Sequence, residues 1–443
     1  MSRATPLPPP RSIWIVNPYD DIPGEGLPPQ RAWSLARVLS GRGHDVTWWS
    51  ATWSGRRKAI RRVPVGIRED EGFAVRLVAV RPYDRDISLA RFASHRDFGR
   101  SFERLASEAI ASGQLVRPDI IVAALPPLEG PEASVRLARR LDATLVVDLT
   151  DCWPETFERQ LPGPKWLRNI VAPLLVRGMI RRRRDVLEAV DAISSVAQSL
   201  VDVALADTPA AATKPIHVCR FGAYPQGYPP PPRLNHHVPI PAAAAAGGSE
   251  TAARDNADPR PIRCIFSGAV ESGQDLDALI AAARQLSATG TPAVIHIAGT
   301  GAIDESLRRS AAAVGGSCRV HVHGLLDRPA HARLLADSDV GIMLGGPESP
   351  SVVPANACDY AAAGLAIVHS LPGELDQLLE AHRAGVRFTA GNPTSLAQAI
   401  AALAADRGRL LDTRHDARRL AEEEFDRERT YPRFAAWLED VAG

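Results

Sequence analysis

Residues Ser349 to Ser370, SPSVVPANACDYAAAGLAIVHS, decide how this chain is read. A loop with two prolines, Pro350 and Pro354, runs into a short helix of small residues that carries one acid, Asp359. Gly364 ends that helix, and an apolar strand, LAIVHS, follows at once. In an α/β protein, a loop feeding a helix N-terminus beside a parallel strand is an anion site, because free backbone N–H groups and the helix dipole both favour negative charge. An acid close behind such a loop suits a sugar or ribose hydroxyl. The segment is therefore a candidate nucleotide-sugar site, with Asp359 as its charged contact and Ser351 and Asn356, residues that favour helix starts, beside it.

Around this segment the chain alternates strands and helices. Before it come RCIFSGAV, the helix DLDALIAAARQL, the strand AVIHIAGTG, the helix DESLRRSAAAVG, RVHVHG, PAHARLLADS and DVGIML. The N-terminal half repeats the pattern: SIWIV, the glycine- and proline-rich loop NPYDDIPGEGLPPQ, the helix RAWSLARVLSGRGH and the strand DVTWWSAT form a βαβ unit. DIIVAAL and ATLVVDL are two more strands, and DAISSVAQ and PIHVCRFGAY end that half. Between the halves, Tyr228 to Pro261 is rich in Pro, Ala and Gly without an apolar period, which is linker or disordered-insertion composition. The expected organisation is an N-terminal Rossmann-like domain over 1–227, a linker or insertion over 228–261, a C-terminal Rossmann-like domain over 262–425 and a last helix, 426–443, crossing back to the first domain.

Composition limits the function classes. A chain of 443 residues is too long for one ordinary core. Lys and Arg number 52 against 51 Asp and Glu, so global charge makes no case for nucleic acid. The five cysteines are scattered with no CxxC pair, which argues against both zinc and a disulfide framework and fits a reduced, cytoplasmic setting. The polar, proline-rich start MSRATPLPPPRS and the short apolar run after it do not form a signal segment, and no stretch approaches the ~18 apolar residues of a membrane span.

The order of these segments resembles a GT-B glycosyltransferase, and within that fold it is similar to the family 4 retaining enzymes. The resemblance covers nearly the whole chain and rests on the first glycine loop and helix, on LPPLEG followed by VVDLTDCWPE, on RVHVHGLL and ADSDVGIML, and on DYAAAG with its strand. The D-x-W-P-E run is similar to a branch acting in polysaccharide and surface-glycan assembly. The resemblance implies two Rossmann-like, doubly wound α/β domains facing a central cleft. A nucleotide-sugar sits mainly on the C-terminal domain and a glycan, lipid-linked or small-molecule acceptor on the N-terminal one. In the family, an acid at the position of Asp359 contacts the donor, commonly its ribose; here Asp stands for the more frequent Glu.

The chain departs from the family pattern at the diphosphate. The acid expected eight residues earlier is Ser351, the Arg and Lys of the glycine loop are Ala269 and Gln274 in GAVESGQD, and the usual Asn-Lys is Ala355–Asn356. Arg220, Arg31 and the backbone amides of Gly268 and Gly273 are the substitutes the sequence offers. Gly24 and Gly26, after a strand and before a helix, are expected to line the cleft, with Arg31 beside them. Asp151, just past a strand end and near where family members place a catalytic-region His, is the candidate acceptor-side catalytic residue, with Trp153 and Glu155 shaping its loop.

Other motifs carry less. Gly299 to Gly301 form GTG, but Asp304 stands where a dinucleotide fingerprint needs its third glycine. His321 and His323 share a strand face without a ligand pattern around them, and no DxD pair stands in a loop suited to a donor metal, so neither metal nor cofactor is expected. In KWLRNIVAPLLVRGMIRRRRDVLEA, Trp166, Leu167, Ile170, Val171, Leu174, Leu175 and Met179 can form an apolar face beside a basic cluster of Arg168, Arg177 and Arg181 to Arg184. That is the pattern of an interfacial helix on anionic lipid, and equally of a core helix with a basic end. The leading expectation is a cytoplasmic, metal-independent retaining glycosyltransferase with peripheral membrane contact through 165–185. Its rivals are a non-catalytic GT-B partner with a degenerate donor site and an unrelated Rossmann-type enzyme.

Overall fold

The computed structural model describes residues 9–25, 30–61, 66–68, 72–85, 88–151, 153–155, 165–232, 260–270, 275–301, 305–346 and 352–443. They divide into two compact units. The first comprises Met1–Phe221, Pro350–Val353 and Arg427–Gly443, the second Gly222–Ser349 and Pro354–Asp426. The N-terminal stretch of the first unit therefore runs to Phe221, where 227 was expected. Most of the expected linker, 233–259, lies outside the described residues.

The first unit is built from β1 (Ser12–Val16), β2 (Asp45–Ala51), β3 (Trp53–Ser54), β4 (Ala59–Ile60), β5 (Gly66–Arg68), β6 (Phe73–Val78), β7 (Ile120–Leu125), β8 (Thr144–Leu149), β9 (Ala192–Ser195) and β10 (Ile216–Val218). Eight of these form one sheet in the order β10-β9-β8-β7-β1-β2-β6-β5, parallel except for β5 against β6, and β3 and β4 form a separate hairpin. A parallel sheet is covered on both faces, so its central strands are apolar at every position. SIWIV and IIVAAL are accordingly buried throughout. Trp14 and Val16 face a core shared with α2 (Leu89–Ala111) and α3 (Glu129–Leu141), whereas Ile13 and Ile15 face a core shared with α1 (Arg31–Gly41). The C-terminal helix, Arg427–Val441, closes that second face with Tyr431, Phe434 and Leu438. Arg42 and His44 hold its Glu439 at 2.6 and 2.9 Å.

The second unit has six parallel strands, β11 (Ile262–Val270), β12 (Ala293–Gly301), β13 (Cys318–Gly324), β14 (Val340–Met343), β15 (Ala366–His369) and β16 (Gly385–Arg387), in the order β13-β12-β11-β14-β15-β16. Numbered within the unit, this is 3-2-1-4-5-6, the Rossmann order, whose direction reverses between β11 and β14. In the first unit the corresponding reversal lies between β1 and β7. Ligand sites of open α/β sheets form outside the carboxyl ends of strands at these two kinds of position.

Two further helices of the first unit matter below, α4 (Lys165–Ala189) and α5 (Gln198–Asp207). Among the described residues, no helix is long and apolar enough to cross a membrane.

Candidate active site

The carboxyl end of β11 meets the start of the helix Ala355–Ala362, the one anticipated from DYAAAG. Pro354 stands at its N-cap with extended backbone, and Gly364, at φ +65°, turns the chain out after its last turn. Two side chains fasten the helix to β11. Asn356 Nδ2 donates to the Ser267 carbonyl at 2.8 Å, and the Tyr360 hydroxyl accepts from the Ser267 amide at 2.7 Å. Tyr360 is wholly buried, and burial outweighs its Ser267 hydrogen bonds to push the phenol up to about 12. It holds its proton at neutral pH.

Beside this joint the strand ends are opened by glycine. Gly268 lies in register with Gly299 on β12 at φ +153° and +150°, and a Cβ on Gly299 would stand 1.8 Å from the Gly268 carbonyl oxygen. Glycine at 299 is thereby required by the close approach of β12 to the backbone of β11. Asp359, half-buried on the same helix, faces Tyr228: burial first, then the Asp359 charge, raise that phenol far above its usual range. The expected donor residues Gly268, Asn356 and Asp359 thus come together at the switch point of the second unit. Asn356 has a structural share in it, because its amide ties the helix to the strand. Ser351, Gly273 and Gln274 lie outside the described residues.

In the first unit, Gly24 sits exposed in a turn at φ +90°, and Gly26 is outside the described residues. Arg31 differs from expectation. Offered by the sequence as a substitute cation beside the glycine loop, it is only 3% exposed. Its Nε and Nη2 clamp Asp148 at 2.7 and 2.8 Å, and Nη1 donates to the Cys219 carbonyl at 2.6 Å. Burial works against its charge, but Asp148 overrules it and holds the guanidinium protonated more firmly than usual. A carboxylate buried in β8 needs such a partner, so Arg31 serves the core of this unit rather than a phosphate. The neighbouring helix start is also filled from within, since Asp20 accepts the Ala32 N–H at 2.7 Å.

Asp151 stands exposed just beyond β8, its carbonyl accepting from the Trp153 N–H at 2.9 Å. Arg220 is half-buried after β10. Glu155 is tied to Arg183 of α4 at 2.7 Å, and Arg183 also meets Asp207 at 2.6 Å. This corrects the basic face expected on α4. Arg183 is buried, Arg182 is turned onto Glu129 and Glu132 at 2.9 and 2.6 Å, and Met179 lies in the core; Arg177, Arg181 and Arg184 remain exposed. His321 and His323 do share a face, joined by His296 of β12, whose Nδ1 lies 2.9 Å from His323 Nε2. Among the described residues, no group of His, Cys, Asp or Glu is disposed to hold a metal ion.

Sequence reading missed a cluster at the switch point of the first unit. The Tyr19 hydroxyl, in the loop after β1, is hydrogen-bonded to His95 Nε2 of α2, and His95 Nδ1 lies 3.9 Å from Glu129 at the start of α3. Burial, then the charges of Arg91 and Arg182, push His95 down to about 3. Glu129 is already engaged by Arg182, so it does not hold a proton on the ring. His95 is thus a neutral acceptor. Asp148 could have been found from sequence, as an acid inside the apolar run VVDL. Tyr19 and His95 carried no such signal.

Residues 261–406 match a family model described as Glycosyl transferases group 1. No curated protein matches the sequence. Among solved structures the whole fold is similar to that of Anabaena HepE in complex with UDP and glucose, with a TM-score of 0.62 at 15% identity, covering 97% of this chain and 100% of that one. It is also similar to sucrose-phosphate synthase from Thermosynechococcus elongatus (0.69, 13% identity, 97% and 99% covered) and to WaaG, a glycosyltransferase involved in lipopolysaccharide biosynthesis (0.61, 13%, 96% and 99%). The chain therefore has the GT-B glycosyltransferase fold, two Rossmann-like α/β units with parallel sheets.

Proposed function

We propose that this protein is a retaining glycosyltransferase that moves a sugar from a nucleotide-sugar donor to a glycan, lipid-linked or small-molecule acceptor in surface polysaccharide or glycoconjugate assembly. The observation that carries the reading is the switch point of the second unit. There a helix N-terminus meets β11 beside Gly268, with Asp359 further along the helix, inside the segment that matches the glycosyltransferase family model. In the proposed reaction the diphosphate departs toward backbone N–H groups at the start of the helix and at Gly268, whose dipoles stabilise the charge as it develops. Asp359 accepts hydrogen bonds from donor hydroxyls. Because Ala269 and Gln274 stand where cations are usual, backbone dipoles bear a larger share of that stabilisation. HepE was crystallised with UDP and glucose, and by analogy we take the donor here to be a nucleoside diphosphate sugar. Asp151, beyond β8, is placed on the acceptor side.

Transfer is proposed to be metal-independent, so EDTA should leave the rate unchanged. The protein is placed in the cytoplasm with contact to the inner membrane face through α4, on which Leu174 and Leu175 stand exposed next to Arg177, Arg181 and Arg184. Co-sedimentation with phosphatidylglycerol vesicles, absent with phosphatidylcholine and lost in Leu174→Ser/Leu175→Ser, tests that placement.

A second reading, a non-catalytic partner with a degenerate donor site, is favoured by one observation: Arg31, a candidate replacement cation, is committed to Asp148. A thermal-shift screen against UDP-, GDP- and dTDP-sugars with NAD as control separates the readings. Stabilisation by a nucleotide-sugar supports the enzyme, and NMR of the product's anomeric configuration then tests retention. No shift with any nucleotide supports the partner reading, and a shift with NAD alone would overturn both.

A further inference from the structure

The helix Ala355–Ala362 of the proposed donor site is held at both ends, by different parts of the chain. Asn356 and Tyr360 tie its start to β11. At the other end, the last four carbonyls of a helix have no donor within it. Here the N–H groups of Ala363, Leu365 and Gly364 serve those of Asp359, Tyr360 and Ala361. The fourth, the Ala362 carbonyl, accepts from Arg418 Nη1 at 2.9 Å. Arg414, one turn earlier on the helix Arg407–Leu420, donates through Nε to the Gly364 carbonyl at 2.8 Å. Two guanidinium groups thus meet the negative end of the helix dipole.

This anchorage has a fixed base. Arg414 Nη1 is paired with Asp339 at 2.7 Å, and both residues are buried. The Asp339 carboxylate accepts the Arg263 N–H at 3.0 Å, and the Asp339 N–H donates to the Arg263 carbonyl at 2.8 Å, joining the starts of β11 and β14. Arg418, four residues after Arg414, projects from the same face of its helix. Its side chain is 13% exposed, and its Nε is paired with Glu422 at 2.7 Å.

Arg418 Nη1 also donates to the Tyr228 carbonyl, at 3.2 Å. Tyr228 belongs to the segment by which the chain enters the second unit at Gly222. That segment lies against the same helix end. A Cβ on Gly364 would stand 2.4 Å from Pro231 Cγ, and the Pro232 carbonyl oxygen is 3.1 Å from His415 Nε2. One nitrogen therefore joins the helix that carries Asp359 to the entering segment.

We propose that Arg418 is a positioning residue for the donor site, which sets the helix Ala355–Ala362 and ties its movement to that of the entering segment at Tyr228. The link stands on these hydrogen bonds, whereas its service to donor binding rests on the glycosyltransferase reading above. A shift of the backbone at Tyr228 pulls on Nη1, and the pull reaches Ala362 without passing through the sheet.

The test is amide hydrogen exchange of the full chain, followed by mass spectrometry. Arg418→Met keeps the stem and loses every donor. It should speed exchange about tenfold or more in peptides covering 355–365 and 222–228 together, and leave the helix Leu276–Ala288 of the same unit unchanged. Arg418→Lys, which keeps a donor, should restore part of the protection and guards against misfolding of the first variant. Arg419→Gln, whose exposed side chain pairs only with Asp416, should change nothing. UDP-, GDP- and dTDP-sugars are then added in turn. A donor that binds should slow exchange in both peptides of the wild type, but only in 355–365 of Arg418→Met. The proposal is overturned if Arg418→Met exchanges like the wild type, if only one of the two peptides loosens, or if the whole unit loosens equally. It is also overturned if donor protection of 222–228 survives in Arg418→Met. Joint loosening of the two peptides with no effect of any nucleotide-sugar defeats the glycosyltransferase reading and leaves the link standing. Donor protection in the wild type without joint loosening in Arg418→Met defeats the link alone.

Discussion

Arg31 and Asp148 form a pair that helps build the first unit. Both are almost fully buried, and the carboxylate also accepts from Ser194 Oγ at 2.7 Å. Removing one partner of a buried pair strands the other charge, which costs about 3–5 kcal/mol. Asp148→Asn should therefore lower the melting temperature markedly while nucleotide affinity in the folded protein is kept; an unchanged melting point would show that the pair contributes little. His95 makes a pH-dependent contribution of defined sign. In the folded chain it takes up a proton only near pH 3, against a usual value of 6.5. Between those values the unfolded state binds the extra proton, so stability falls as pH falls, by up to about 1.4 kcal/mol per unit, and is flat above the upper limit. Urea unfolding from pH 7 to pH 4 should show a shallower slope in His95→Asn than in the wild type. Parallel slopes would contradict the assignment. Asn356 and Asp359 could be singled out as candidates because they belong to a short helix whose loop-to-helix start is visible in the sequence. Arg31 misled, since nothing local to a helix start reveals an acid 117 residues away.

Among the elements, the helix Ala355–Ala362 matters most to the proposed donor site, and its position depends on Ser267. Tyr360→Phe leaves the Ser267 amide without its buried acceptor, a loss of about 1–3 kcal/mol. The variant should fold, melt lower and bind nucleotide more weakly, because the helix start is no longer held against β11. Equal affinity in a less stable protein would show that the hydroxyl serves stability alone. Apolar runs such as SIWIV and IIVAAL could be read from sequence because a parallel sheet buries both faces of its central strands. The region from β3 to α2 was not legible. Its strands β3 to β5 are only two or three residues long. The helix Leu89–Ala111 mixes Arg, His and Ser among its apolar residues, so Arg91 and His95 had no pattern to stand out against.

At the scale of the molecule, topology supplies what spacing cannot. Right-handed crossovers and the βα alternation point to a parallel sheet, and only the observed order 3-2-1-4-5-6 locates the switch point of the second unit between β11 and β14. Tyr19, His95 and Glu129 are brought together only by the matching reversal between β1 and β7, so this group becomes visible only once the strand order is known. The central claim is that the second unit binds a nucleotide-sugar through the site behind which Asp359 stands. Calorimetric titration of the wild type and of Asp359→Ala with UDP-, GDP- and dTDP-sugars tests it most directly. One of these donors should bind with 1:1 stoichiometry, and Asp359→Ala should weaken it about tenfold or more, roughly 1.4 kcal/mol. No binding by any donor, or equal binding by the two proteins, would contradict the account.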